Sequence, residues 1–368
     1  MSAPPPLPAL LSREDLRAAV AAGVLSEAQA ARLVALADSR RGAREGLSPD
    51  DEPFELFRGF NEVFVVTGLA ILVAGWTGLA ALWIAGAAVS PGFGGLVGRS
   101  LLVAAAGGTL VWALAEYFVR RRRMVFPAIA LSAIWGANAL WGWTAALSHP
   151  VMVAAGDWTS LLAPLGLATA SIGLFWLRFR VPFALALGAL GLFATALVGA
   201  ASAAGSPEGI GELFVLSGQG PFAAVTLVLG LAVFAAAMAF DLSDPYRVTR
   251  RSAQAFWLHL VAAPALVNTI ALTLLAEGTA AAHALLGLFL ALIALVAVVI
   301  DRRSFLVAGV AHAVALAGAV FGGGAASLTV LALGAALLAL GAGWERLRAR
   351  LLRALAPLLP LRRLPPAG

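Results

Sequence analysis

The chain contains no cysteine and no lysine. The first absence excludes disulfides, thiolate nucleophiles and cysteine-bearing metal sites. The second means that each of its 25 basic residues is arginine. Charge is scarce altogether: 12% of the 368 residues are charged, against about 25% in a soluble domain. No Asp or Glu lies in the middle of any long apolar run. Ion-coupled carriers commonly bind their driving ion at a buried carboxylate, so this scarcity argues against ion coupling. No Ser–His–Asp spacing, phosphate loop or dinucleotide glycine fingerprint occurs, so no enzymatic activity and no cofactor are expected. A cleavable signal peptide is not visible either. Met1 to Pro8 is proline-rich and uncharged, and the first apolar run begins near Val63, which is expected to act as its own insertion signal.

What is present is apolar: 61% of residues, with a mean hydropathy of +0.93. Ten stretches approach the roughly 20 residues that cross a bilayer core. They are 63–88, 100–118, 125–147, 158–177, 181–203, 221–240, 253–276, 280–300, 305–322 and 325–343. They are continuously apolar rather than alternating, which excludes β-spans. The arginines then orient them. Seven precede the first span, and the rest fall at 120–123, at 178 and 180, at 247, 250 and 251, at 302–303 and after 344. Only Arg99 lies in the other set of gaps, which carry Asp157, Glu208, Glu212 and Glu277 instead. By the positive-inside rule both termini are cytoplasmic, and the net charge of +6 belongs to anionic inner-leaflet lipid rather than to nucleic acid. The expected fold is an all-α polytopic bundle of about ten transmembrane helices in hairpins, N-in and C-in, in a bacterial inner membrane.

Four regions follow. Residues 1–53 form a cytoplasmic helical hairpin and flexible linker. A helix started by Ser12-Arg-Glu-Asp15 breaks at Gly23, and a second starts at Ser26-Glu-Ala-Gln29. Leu16, Val20, Val24, Leu33 and Leu36 are expected to pack the two together, and the hairpin is a candidate dock for a protein partner. Residues 54–62 carry Phe54, Phe57 and Phe60 at helical spacing, an interfacial amphipathic segment. Residues 63–343 are the ten-span domain, and 344–368 a basic amphipathic tail for the inner leaflet. Spans 2–3, 4–5, 6–7 and 8–9 read as hairpins, each closed by an arginine-bearing turn. Arg180-Val-Pro-Phe183 compares with Arg303-Ser-Phe305; ancestral duplication and the plain topological need for arginine both account for this.

Few polar groups lie inside the spans. His259 and His312 follow the preceding arginines by eight and nine residues, so both sit roughly 12 Å into the membrane at 1.5 Å per residue. Equal depth permits a pair that binds a proton or a ligand. A separate helix–helix hydrogen bond for each is the plainer reading. Two histidines alone make a poor zinc site, so no metal is expected. Asn138 and Asn268 lie deeper, and each needs hydrogen-bond partners. With Trp135, Trp141 and Trp143 around it, Asn138 suits a cavity for a small amphipathic ligand, or packing plus interfacial tryptophan. Glu116 is placed to pair with Arg120 at i,i+4. In the turn between spans 6 and 7, Asp241 and Asp244 are expected to face Arg250 and Arg251. They would form either an ion-paired cluster that positions His259 or mere helix caps.

Asp241-Leu-Ser-Asp-Pro245, Arg250-Arg-Ser252, Ala255 to Pro264 and Asp301-Arg-Arg303 with Phe305 resemble a group of polytopic proteobacterial inner-membrane proteins of unknown function. The resemblance implies that Asp241, Asp244, Arg250, Arg251 and His259 form a cytoplasmic cluster, and it implies no activity. Two functions fit the sequence. One is a permease or exporter of a small amphipathic solute, with Asn138, Trp135, His259, Asn268 and His312 as its binding residues. The other is a membrane scaffold that recruits partners through its cytoplasmic termini.

Overall fold

A computed structural model describes residues 13–25, 29–30, 33, 36–37, 61–86, 93–216, 218, 220–245, 247, 249–357 and 364; the side chains of 13–14, 17, 93–94, 307, 321–330, 333, 337 and 340 are not described. The chain divides into two units, 1–52 and 53–368. In the first, helix α1 spans Arg13–Ala21. It ends in a Schellman motif: Gly23 takes φ +71°, Gly23 N–H donates to Val20 O and Val24 N–H to Ala19 O. Val24 and Leu33, expected in the hairpin contact, are exposed instead. The linker at 41–53 and the aromatic positions 54, 57 and 60 lie outside the described residues.

The second unit is built of helices joined by turns, with no strand among its described residues. Its long helices are α2 (Asn61–Ala85), α3 (Phe93–Ala115), α4 (Val125–Leu147), α5 (Leu162–Phe179), α6 (Pro182–Ala204), α7 (Phe222–Ser243), α8 (Arg250–Glu277), α9 (Ala280–Ile300) and α10 (Ser304–Ala342). A short helix, α11 (Trp344–Ala354), follows. Eight of these, α2 to α9, are long and apolar enough to cross a membrane, and the chain reads as a multi-pass membrane protein. Lipid tails are as apolar as leucine, so helices there associate through close packing and hydrogen bonds. The tightest places are glycines. A Cβ at Gly230 of α7 would come within 3.1 Å of Ala265 and Leu266 of α8. At Gly191 of α6 it would collide with Thr169 of α5. α8 is the most enclosed span and α2 the least.

The arginine-bearing turns share one device. Arg123, Arg180, Arg247 and Asp301 all adopt φ between 51° and 56°, the left-handed conformation, and they are the non-glycine residues that do so among those described. Each sits just before a hairpin's second helix. The equivalent residues are therefore Arg180 and Asp301, rather than Arg180 and Arg303 as the sequence comparison aligned them. Arg123-Met-Val-Phe126 joins Arg180-Val-Pro-Phe183 as the closer match.

The spans expected at 305–322 and 325–343 differ from the observed element: 304–342 is assigned as one 39-residue helix. A straight rod of that length would run about 58 Å. Yet its two ends meet. Trp344 Nε1 donates to Asp301 Oδ1 at 2.8 Å, and the Arg303 guanidinium lies 5.1 Å from the Trp344 ring. The chain therefore reverses direction between Ser304 and Ala342.

Candidate functional site

Two polar centres stand out, one in each half of the membrane unit. In the first half, α4 presents Asn138 toward α3. Its Nδ2 donates to Ala104 O at 2.9 Å. The amide fits because α3 offers glycine there: a Cβ at Gly107 would lie 2.8 Å from Asn138 Oδ1, and one at Gly108 would lie 3.1 Å from Nδ2. Asn138 lines two clefts. One, of about 660 Å³, lies among α2, α3 and α4 and includes Trp76, Thr77 and Trp141. The other, of about 770 Å³, lies among α3, α4 and α5 and includes Trp135, Trp143 and Ser171. Trp135 Nε1 is occupied by Ser171 O at 2.9 Å, and its ring packs with Trp112 and Phe175. Trp135 is therefore a wall of the second cleft rather than a donor into it. Both clefts are overwhelmingly apolar.

In the second half, the groups at the arginine-bearing end form a buried ion cluster, with partners other than those expected. Asp241 Oδ2 accepts from His259 Nε2 at 2.9 Å and from Arg302 Nε at 3.0 Å, and Arg302 Nη2 bonds Asp241 Oδ1. Arg302 Nη2 also donates to Ser252 O at 3.0 Å. Thus Asp241 is paired with an arginine from the next hairpin's turn, not with Arg250 or Arg251. It also holds His259. The carboxylate pairs with Arg302 and acts as acceptor, so His259 carries its proton on Nε2. Its Nδ1 has no partner; the ring is fully enclosed, with Phe234 and Phe305 each 5.6 Å away. The Asp241 carboxylate and the Arg302 guanidinium balance each other's charge inside the membrane unit.

Asp244 works differently. Its Oδ2 accepts from Thr249 N–H and Oγ1–H at 2.9 and 2.8 Å, and Thr249 Oγ1 in turn accepts from Arg251 N–H at 3.1 Å. This is a capping relay that starts α8. Arg250 is buried and Arg251 exposed. Beside the cluster, Arg247 donates to Asp301 Oδ2 at 2.7 Å and to the carbonyls of Ile300 and Asp301, and Arg348 of α11 donates to Val298 O. Burial pushes the Arg247 guanidinium below its ordinary pKa; Arg302 adds to this and Asp301 opposes it.

The two histidines do not pair. His312 Nε2 bonds Asn268 Oδ1 at 2.9 Å, joining α10 to α8, while His259 is held by Asp241. Equal depth put them on neighbouring helices, but each faces a different partner. No group of three or more His, Asp or Glu side chains stands together as a metal site among the described residues. Glu116 pairs with Arg120 at 3.3 Å as expected, and also with Arg178 at 2.7 Å, tying the π-helical turn after α3 (Glu116–Arg121) to α5. Sequence reasoning missed Arg302, Arg247, Asp301, Trp344, Gly107 and Trp76. Asp301 to Arg303 lay in the segment that carried the resemblance, so a signal existed for those; Gly107 is one of 39 glycines and gave none.

The sequence matches no family model, and no curated protein and no solved structure matches it.

Proposed function

We propose that this protein is a permease or exporter of a small amphipathic solute, embedded in a bacterial inner membrane. In this reading it crosses the membrane ten times, with both termini in the cytoplasm beside anionic lipid. The observation that carries the transport reading is Asn138, a membrane-depth amide that lines two clefts at once. Clefts of this size fall within the roughly 300–1,000 Å³ of small-molecule sites, and a few polar groups in apolar walls are their usual composition. The loosely enclosed α2 and the tightly enclosed α8 suit a moving first half against a rigid second half. The second half's ion cluster is then the brace that keeps α7, α8 and the turn before α10 together. The scaffold reading draws on α11, whose Arg346, Arg350 and Arg353 do not join the contact of Trp344, Arg348 and Leu352 with the membrane unit.

The test is a metabolite and lipid comparison of a deletion strain, its parent and a strain carrying Asn138→Leu. Transport requires the same solute to change in level, in the same direction, in the deletion and in the N138L strain. An N138L strain that matches the parent while the deletion does not removes the cleft from the function.

A further inference from the structure

The cleft among α2, α3 and α4 carries two polar atoms with no hydrogen-bond partner among the described residues, and they border one point. Asn138 Nδ2 donates to Ala104 O; only the amide nitrogen can donate to a carbonyl, so Oδ1 is the end turned toward Gly107. A Cβ at Gly107 would lie 2.8 Å from that Oδ1 and 3.2 Å from Trp76 Nε1. An acceptor and a donor thus stand no more than about 6 Å apart, close against Gly107, in the wall of one cleft. Both belong to the lining of the 660 Å³ cleft, whose other walls include Leu69, Leu110 and Val111. No charged side chain lines it. A carboxylate or ammonium would enter without a counter-charge and lose its hydration, which excludes ionised ligands.

The second half offers a comparison. Asn138 and Asn268 each lie on the second helix of a hairpin. Asn268 Oδ1 accepts from the ring nitrogen of His312 at 2.9 Å. In that half the protein itself supplies the donor. At Asn138 none of the described side chains does.

We infer that the cleft binds a neutral amphipathic molecule by a single head group that both donates and accepts, a hydroxyl or a primary amide. The head donates to Asn138 Oδ1 and accepts from Trp76 Nε1, and the apolar tail lies along α2 and α3. Gly107 is a specificity residue because a Cβ there would push Asn138 Oδ1 and Trp76 Nε1 out of place. This rests on the reading of the cleft as a solute site. An ether accepts from Trp76 but leaves Asn138 unpaired; an alkane satisfies neither. A buried polar group left unpaired is what separates such ligands.

The test uses the full chain in nanodiscs and three tail-matched probes, 1-decanol, decyl methyl ether and decane, with binding corrected for protein-free nanodiscs. Wild type is expected to bind the alcohol at least tenfold more tightly than the ether, and the ether more tightly than decane. Asn138→Leu should bring the alcohol to the level of the ether. Trp76→Phe, which keeps a ring in place and is the variant least able to disturb folding, should bring the ether to the level of decane. Gly107→Ala should weaken the alcohol about tenfold. Monoolein placed in the bilayer competes if the natural ligand is membrane lipid; failure to compete assigns the site to a free alcohol or amide, and either result is compatible with the head-group assignment. Equal binding of all three probes to wild type, or an unchanged alcohol preference in both N138L and W76F, overturns the head-group assignment and leaves the cleft standing. No binding of any probe overturns the cleft reading itself.

Discussion

Asp241 and Asp244 look alike in sequence, three residues apart in one turn, and the structure gives them unlike work. Asp241 is the counter-charge of a buried arginine, so Asp241→Ala leaves Arg302 uncompensated; loss of one partner of a buried pair costs about 3–5 kcal/mol. Asp244 is a cap, and Asp244→Ala should cost about 1 kcal/mol. Thermal unfolding in detergent separates them, and equal destabilisation by the two would refute the division of labour. The double variant D241L/R302L should recover most of the loss of D241A, since a buried ion pair replaced by apolar residues is often near neutral. Local sequence showed that this turn was unusually acidic. It could not show that the matching arginine stands 61 residues away, because only the packing of the two turns brings Arg302 to Asp241.

Among the elements, boundaries were legible where an apolar run meets an arginine or a proline. The ranges 125–147 and 280–300 read from sequence are the observed helices. Contacts between helices were not legible, because small residues are everywhere and only a few sit at a crossing. Gly191 is one. Gly191→Ala should destabilise the α5–α6 pair by about 1–3 kcal/mol through overpacking, and Thr169→Ala should rescue it by removing the colliding side chain. A G191A protein as stable as wild type would mean that α5 and α6 do not approach there. The reversal within α10 admits an equally direct check. The chain has no cysteine, so R303C/W344C offers the only two thiols. A short bifunctional maleimide should link them in high yield, since the ends of α10 meet at Asp301 and Trp344. Ends separated by a straight 39-residue rod would give no link.

At the scale of the molecule, the gathering of arginines sets the expected orientation, and the structure supplies pairwise ties that join turns of the same class. Glu62 accepts from the N–H groups of Val125 and Phe126, Glu116 meets Arg178, Arg247 meets Asp301, and Asp241 meets Arg302. In the other set, Arg99 donates to Trp83 O, Trp158 to Ser206, and Leu216 N–H to Thr273. Each tie joins two members of one set, as hairpins crossing a bilayer alternately require. In the proposed topology, eight long helices and a ninth element that doubles back make an even number of crossings, with both arginine-rich ends cytoplasmic. Reporter fusions after Arg123, Pro182, Arg251, Arg303 and Gly368 should therefore read cytoplasmic, and those at Asp157, Ser206 and Glu277 periplasmic. The decisive fusion is the one at Gly368. If α10 crossed once, the carboxy-terminus would read periplasmic, Arg346 to Arg363 would be translocated against the positive-inside rule, and α11 could not reach Asp301.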